Sequence, residues 1–141
     1  MTYVDAGTIH CPRNWRHSNC LLSISETLSD VIQKHSPEVC VVEGLFFAKN
    51  SKTALVMGQA RGACIVAVSR FGLPIYEIAA RKVKQAIVGF GGAQKIAVSK
   101  MVERMLKLSS TPQPDAGDAL ALAMTFSLET RSQIAKPIER I

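Results

Sequence analysis

Three acidic side chains stand where the sequence allows chemistry. Glu43 closes the apolar run Val39-Cys40-Val41-Val42, and Asp115 and Asp118 lie in the segment PDAGDALALAM. On a helix, acids at positions i and i+3 share one face and reach toward the same point in space. Carboxylate oxygens grouped in this way suit Mg²⁺, a hard cation that keeps several waters and takes its other ligands from carboxylate and phosphate. Two such ions, about 3.5–4 Å apart, activate a water and stabilise the leaving oxygen during phosphodiester hydrolysis. A purely structural account of the same residues stays open at this level. Asp115 would be a helix N-cap and Asp118 a first-turn acid facing the helix dipole, each worth about 1 kcal/mol or less.

A carboxylate at a strand end and two at a helix start need an α/β framework to bring them together. Residues 3–9 alternate in the manner of a half-buried strand, and CPRNW follows as a turn. Leu21, Ile24, Leu28, Val31 and Ile32 fall on one helix face, which Ser36-Pro37 terminates. Residues 39–42 form a continuous β-branched run, the pattern of a strand buried on both faces, ending at Glu43. The spacing then predicts a helix over 51–70, with Gly58 and Gly62 permitting close backbone approach, and Gly72 closing it. A short strand over 73–78, a helix over 79–88, a glycine hinge at 89–92 and a basic amphipathic helix over 95–106 come next. A last helix begins near Asp115, and its stretch 119–128 is apolar all round and therefore expected to be buried. This order describes an α/β domain whose parallel strands are joined by crossovers.

The chain has 141 residues, 48% of them hydrophobic and 20% charged, enough for one domain with a packed core and too short for two. No uncharged run exceeds ten residues, as in 85–94 and 119–128, well below the ~18–20 that a bilayer span requires. The first residues lack the order of a secretory signal, so the cytoplasm is the expected location. Cys11, Cys20, Cys40 and Cys64 match neither a paired zinc pattern nor a dense disulfide framework, and are expected as buried free thiols. His10, His17 and His35 also lack metal spacing and are expected in turns or at the surface. GFGGAQK, residues 89–95, departs from the phosphate-loop pattern, with Ile96 at the hydroxyl position, which excludes an NTP site of that type.

The net charge of +6 is unevenly placed. Residues 49–107 hold eleven basic groups against Glu77 and Glu103, a balance of +9, whereas residues 1–48 carry −2 and residues 108–141 carry −1. A basic central stretch suits a polyanion, because each neutralised phosphate releases counterions. Solvated helix faces would account for the same charges.

Residues 43–62 (EGLFFAKNSKTALVMGQARG), 79–95 (AARKVKQAIVGFGGAQK) and 112–124 (PQPDAGDALALAM) together closely resemble the RuvC family of crossover junction endodeoxyribonucleases, or Holliday junction resolvases. The resemblance runs from about residue 3 to about residue 130 in unbroken order, giving an expected domain over 1–130 and a C-terminal tail over 131–141. It implies a ribonuclease-H-like mixed sheet flanked by helices, a homodimer, a branch-migration motor as a further partner, and paired symmetric nicking of four-way DNA junctions with two Mg²⁺ ions per site. By position, Glu43, Asp115 and Asp118 match the family's catalytic metal-binding acids. Phe46 matches an aromatic residue that contacts a base, where stacking would hold unpaired DNA. Lys84 and Lys95 match basic residues that face the DNA. Arg61, in GQARG, is given a phosphate or interface role by resemblance and charge, with a packing role equally open. Gly117 stands where the family often has Ala, which weakens the first helical turn by up to ~1 kcal/mol.

Family members open with an Asp-containing strand of the type I-x-G-I-D-P-G and a second strand before the segment that matches residues 3–9. This chain shows neither, so the resemblance implies a domain without its first two strands and without its central metal-binding aspartate. Asp5 lies on the segment matching the third strand and is not expected to replace that ligand. The sequence therefore predicts a chain that cuts junction DNA poorly on its own. The alternatives are a catalytically impaired junction-binding module of the same family and, more remotely, a small-molecule-binding α/β domain.

Overall fold

The structure, a computed structural model, describes residues 1–44, 50–131 and 137–141. Its elements in chain order are α1 (His17–His35), β1 (Cys40–Glu43), α2 (Ser51–Ser69), β2 (Ile75–Ile78), α3 (Ala80–Val88), α4 (Lys95–Leu106), α5 (Pro114–Arg131) and β3 (Glu139–Arg140). The chain divides into two compact units: residues 1–8, 41–44 and 76–140 form one, and residues 9–40, 45–75 and Ile141 form the other.

The described strands form one mixed sheet in the order β1-β2-β3. Cys40 N–H donates to Pro74 O and Gly44 N–H to Ile78 O, both at 2.9 Å, so the bonds advance in step along both chains, as in parallel pairing. β3 is antiparallel to β2, with Tyr76 opposite Arg140 and Glu77 opposite Glu139. β1 is thus an edge of the sheet, with Val41 and Val42 half-buried and Glu43 exposed, rather than a strand buried on both faces.

In the first unit, α3, α4 and α5 pack around Ile78, Val83, Ile87, Val98, Val102, Ala121 and Met124. Val102 and Ala121 are completely buried. Helical periodicity explains this set, since Val83 and Ile87, and Val98 and Val102, repeat every four residues and share one face. Tyr76 and Phe126 stack obliquely with ring centroids 4.9 Å apart, adding an aromatic contact between β2 and α5. Thr125, the one buried hydroxyl among the described residues, donates to Ala121 O at 2.8 Å and carries no unmet polar demand. In the second unit α1 lies against α2. Ile32, Ala67 and Val68 are buried there.

Several expectations change. Residues 3–9 form no strand: they are extended in sequence pattern but no described strand pairs with them, and alternation becomes a strand only where a neighbour completes the ladder. A Cβ at Gly58 or Gly62 would meet nothing within 4 Å, so neither glycine serves a close approach to another described part of this chain. The stretch 119–128 is only largely covered, with Ala119 and Ala123 exposed. All four cysteines are free and half-buried rather than buried. β3, in the segment expected as a tail, was not foreseen, because two residues are too short for a periodic signal.

Candidate active site

Glu43 sits at the end of β1, where the chain leaves the sheet. The next residue, Gly44, is buried, and its N–H bond to Ile78 O fixes that exit beside the end of β2. A Cβ on Gly44 would stand 3.3 Å from Ala79 Cα and 3.4 Å from Glu77 Oε1, tighter than ordinary contact with the backbone. An alanine here would press on the Ala79 backbone, which would have to give by a few tenths of an ångström. Sequence reasoning missed this role, and the Glu-Gly pair at the end of a β-branched run was the available signal.

Asp115 and Asp118 project from the start of α5. Pro114 occupies the first helical position, where its missing N–H is no loss, and Gly117 N–H donates to Gln113 O at 2.8 Å. Asp115 is therefore inside the first turn and is not the N-cap, which removes the capping account of that residue. Asp118 lies one turn further and is half-exposed.

Lys95, the first residue of α4, joins these acids. Its Nζ donates to Asp118 Oδ2 at 2.9 Å. That hydrogen bond and the Asp118 charge, with smaller contributions from Asp115 and Glu43, raise the Lys95 ammonium above its ordinary value, against slight desolvation. The three acids named from the sequence therefore act electrostatically on one cationic nitrogen. An ammonium at a helix N-terminus opposes the macrodipole by roughly 0.3–1 kcal/mol, and the surrounding carboxylates offset that cost. No acid occupies the first turn of α3 or α4. Arg81 and Lys82 stand there in α3 instead, so positive side chains and positive helix ends coincide. Lys82 also pairs with Glu129 at 2.9 Å, tying α3 to α5.

Lys84 is half-buried within α3. Arg61 is half-buried in α2, in the other unit. Phe46 lies outside the described residues. Asp5 is in the N-terminal extended segment. A cavity of about 650 Å³ between that segment and the α4–α5 connection is lined by Tyr3, Thr8, Lys107, Gln113 and Leu120, and by none of the three acids. Glu43 and Asp115 are exposed and Asp118 is half-exposed.

The family model described as crossover junction endodeoxyribonuclease RuvC matches residues 1–126. The chain belongs to the RuvC family. RuvC of Teredinibacter turnerae is 44% identical over 126 residues, covering 86% of this chain and 71% of the relative. RuvC of Cronobacter sakazakii is 46% identical over 125 residues, covering 89% and 72%. RuvC of Proteus mirabilis is 53% identical over 98 residues, covering 70% of this chain and 57% of that protein. Among solved structures, Thermus thermophilus RuvC in complex with a Holliday junction substrate superposes with a TM-score of 0.90 at 28% identity, covering 99% of this chain and 84% of that one. A second structure of Thermus thermophilus RuvC gives 0.80 at 28% identity, covering 94% and 78%. The mixed sheet with its helices is thus the RuvC fold, in a chain shorter than these relatives, and the family is one of nucleases.

RuvC nucleases are metal-dependent, and the donor set suits a hard cation: three carboxylates already act together on the Lys95 ammonium. As placed, they do not close into a coordination shell. Among the described residues no group of three His, Cys, Asp or Glu side chains stands close enough to hold an ion. Asp118 is engaged by Lys95 instead. No described helix is long and apolar enough to cross a membrane.

Proposed function

We propose that this chain binds four-way DNA junctions and supplies the Mg²⁺-binding acids of a structure-selective endonuclease acting in recombination and repair. The observation that supports this most is the Lys95–Asp118 ion pair at 2.9 Å, with Asp115 three residues earlier in the same helix, within a fold that matches a junction-bound RuvC. The three carboxylates would hold Mg²⁺, which when bound supplies an activated water and charge stabilisation at the scissile phosphate. Lys95 and Lys84 pair with phosphates flanking that point, and Phe46 stacks on a junction base. With DNA bound, the Lys95 ammonium would pair with a phosphate in place of Asp118, whose carboxylate would then be available to hold Mg²⁺.

Two-fold symmetric cutting calls for two equivalent sites and hence a homodimer with one isologous interface. α2 supports this reading, because it leaves Leu55 68% and Val66 60% exposed, a surface suited to burial by a second copy. A branch-migration motor is the further partner, and the cytoplasm the location.

The test is Mg²⁺-dependent nicking of a synthetic four-way junction, with Glu43→Gln and Asp118→Asn compared to the parent chain. Both variants should lose cleavage while retaining junction binding. Cleavage that survives in both would remove the acids from the mechanism. A second reading, a junction-binding module that does not cut, is favoured by the absence of a closed metal-binding group among the described residues. Under it the parent chain binds junctions in a salt-dependent manner and never nicks them. Equal affinity for linear and branched DNA would count against both.

A further inference from the structure

The turn that leads into α1 carries two thiols with no part in the proposed nuclease. Cys11 precedes the helix and Cys20 is the last residue of its first turn. Trp15 N–H donates to Pro12 O at 3.0 Å, and Asn19 and Cys20 N–H donate to Arg16 O at 3.0 and 3.2 Å. These bonds fold the chain back on itself, so that Cys11 meets Cys20 nine residues later. The Cys11 thiol approaches Cys20 O at 3.9 Å. The Cys11 side chain is also close enough to help push the Cys20 thiol up. Both are half-buried and free.

The helix start has little else to hold it. Arg16, at the N-cap, makes no side-chain capping bond, and the first turn of α1 contains no acid. A covalent link here would replace the missing cap by fastening the turn to the helix.

We propose that Cys11 and Cys20 form a reversible disulfide that pins the 11–20 turn to the first turn of α1, made by exchange with a low-molecular-weight disulfide such as oxidised glutathione. One cysteine loses its proton, and its thiolate attacks the small disulfide, forming a mixed disulfide and expelling one small thiolate. The second cysteine, likewise deprotonated, attacks the protein sulfur of that mixed bond, forms the internal S–S bond and releases the second small thiolate. Two protein thiols are oxidised, one small disulfide is reduced to two thiols, and the protons pass to the released thiolates. Burial, then the hydrogen bond and charge of Cys11, push the Cys20 thiol up, which makes its sulfur a poor leaving group and slows re-opening. Cys40 and Cys64, half-buried in β1 and α2, interact through charge without a comparable bond between them.

The experiment treats the 141-residue chain with oxidised glutathione, then measures free thiols, intact mass, a non-reducing peptide map and Tm. The expected result is loss of two thiols and two hydrogens of mass, a Cys11–Cys20 linked peptide, and a Tm increase that dithiothreitol reverses. Cys11→Ser should lose the link and the Tm response, and Cys40→Ser should keep both. Persistence of all four thiols, stable glutathione adducts without an internal link, or linkage of Cys40 to Cys64 in place of this pair would overturn the proposal.

Discussion

The Lys95 ammonium lies 2.9 Å from the Asp118 carboxylate, with Asp115 and Glu43 also within its electrostatic reach. This places a protein cation among the carboxylates on which the proposed chemistry needs a metal. A lysine at the first position of α4 opposes the helix dipole and gains its partner only through the fold. Under the proposed function this is a resting state in which Lys95 neutralises acids that would hold a cation once DNA is bound.

Removal of that internal cation should change metal affinity in a defined direction. Lys95→Met leaves the aliphatic stem and deletes the charge, so the carboxylates no longer share their potential with an ammonium. Isothermal titration with Mg²⁺ in the absence of DNA should show tighter binding, on the order of threefold to tenfold for a charge interaction near 1 kcal/mol. Junction binding by the same variant should weaken. Unchanged Mg²⁺ affinity would separate Lys95 from the metal site.

The same pair sets a pH dependence. The Lys95 ammonium is raised above its ordinary 10.5, so its contribution is fully present below that value and is lost as pH rises through the raised one. With the Lys95 side chain 73% exposed, the effect after solvent screening is on the order of a few tenths of a kcal/mol. Thermal melts of the parent and Lys95→Met should therefore differ slightly and by a constant amount from pH 7 to 9. The difference should begin to shrink near pH 10.5 and vanish only above the raised value.

Helices α1 to α5 were legible in the sequence because apolar side chains such as Leu28 and Ile32, or Val98 and Val102, recur at helical spacing. β1 and β2 were legible from β-branched and apolar runs closed by turn residues. Residues 3–9 were misjudged, since alternation records what one strand offers and says nothing of whether a partner takes it. Type and spacing alone left the acids open to a helix-cap account, and the ion pair between Lys95 and Asp118 joins residues of two helices and needs tertiary packing to exist. Gly44 was passed over for a similar reason: its tightness depends on Ala79, which follows a different strand.

Gly44→Ala tests that tightness. The added methyl would stand 3.3 Å from the Ala79 backbone, which cannot swing aside as a side chain does. Overpacking of this kind costs about 1–3 kcal/mol. Denaturant melts should show a lower midpoint with an unchanged slope, and any cleavage activity should fall further than stability does, because Glu43 is displaced with its neighbour.

Lys84 is assigned to phosphate, and phosphate contacts have a thermodynamic signature. Lys84→Ala should weaken binding to junctions of different sequence by a similar factor and lower the slope of log K against log salt by about one. Fluorescence anisotropy across a salt series measures both. A loss confined to one junction sequence would point to base contact instead.

Gly117 offers a stabilising change. It lies in the first turn of α5 and is buried, yet a Cβ there would meet Pro112 Cγ at 3.4 Å and Ser99 Oγ at 3.5 Å, which is ordinary contact. Its φ is not in the left-handed region, so alanine incurs no backbone strain. Helix propensity favours alanine by up to ~1 kcal/mol, partly through the lower entropy of the unfolded chain. Gly117→Ala should therefore raise Tm by about 2–4 °C, as expected for ~1 kcal/mol in a chain near 150 residues. Because the change fixes the turn that carries Asp115 and Asp118 without touching either carboxylate, Mg²⁺ affinity should hold or improve. A lower Tm would show that the Pro112 ring and Ser99 cannot accommodate even ordinary contact, and that the glycine is required for α5 to approach them.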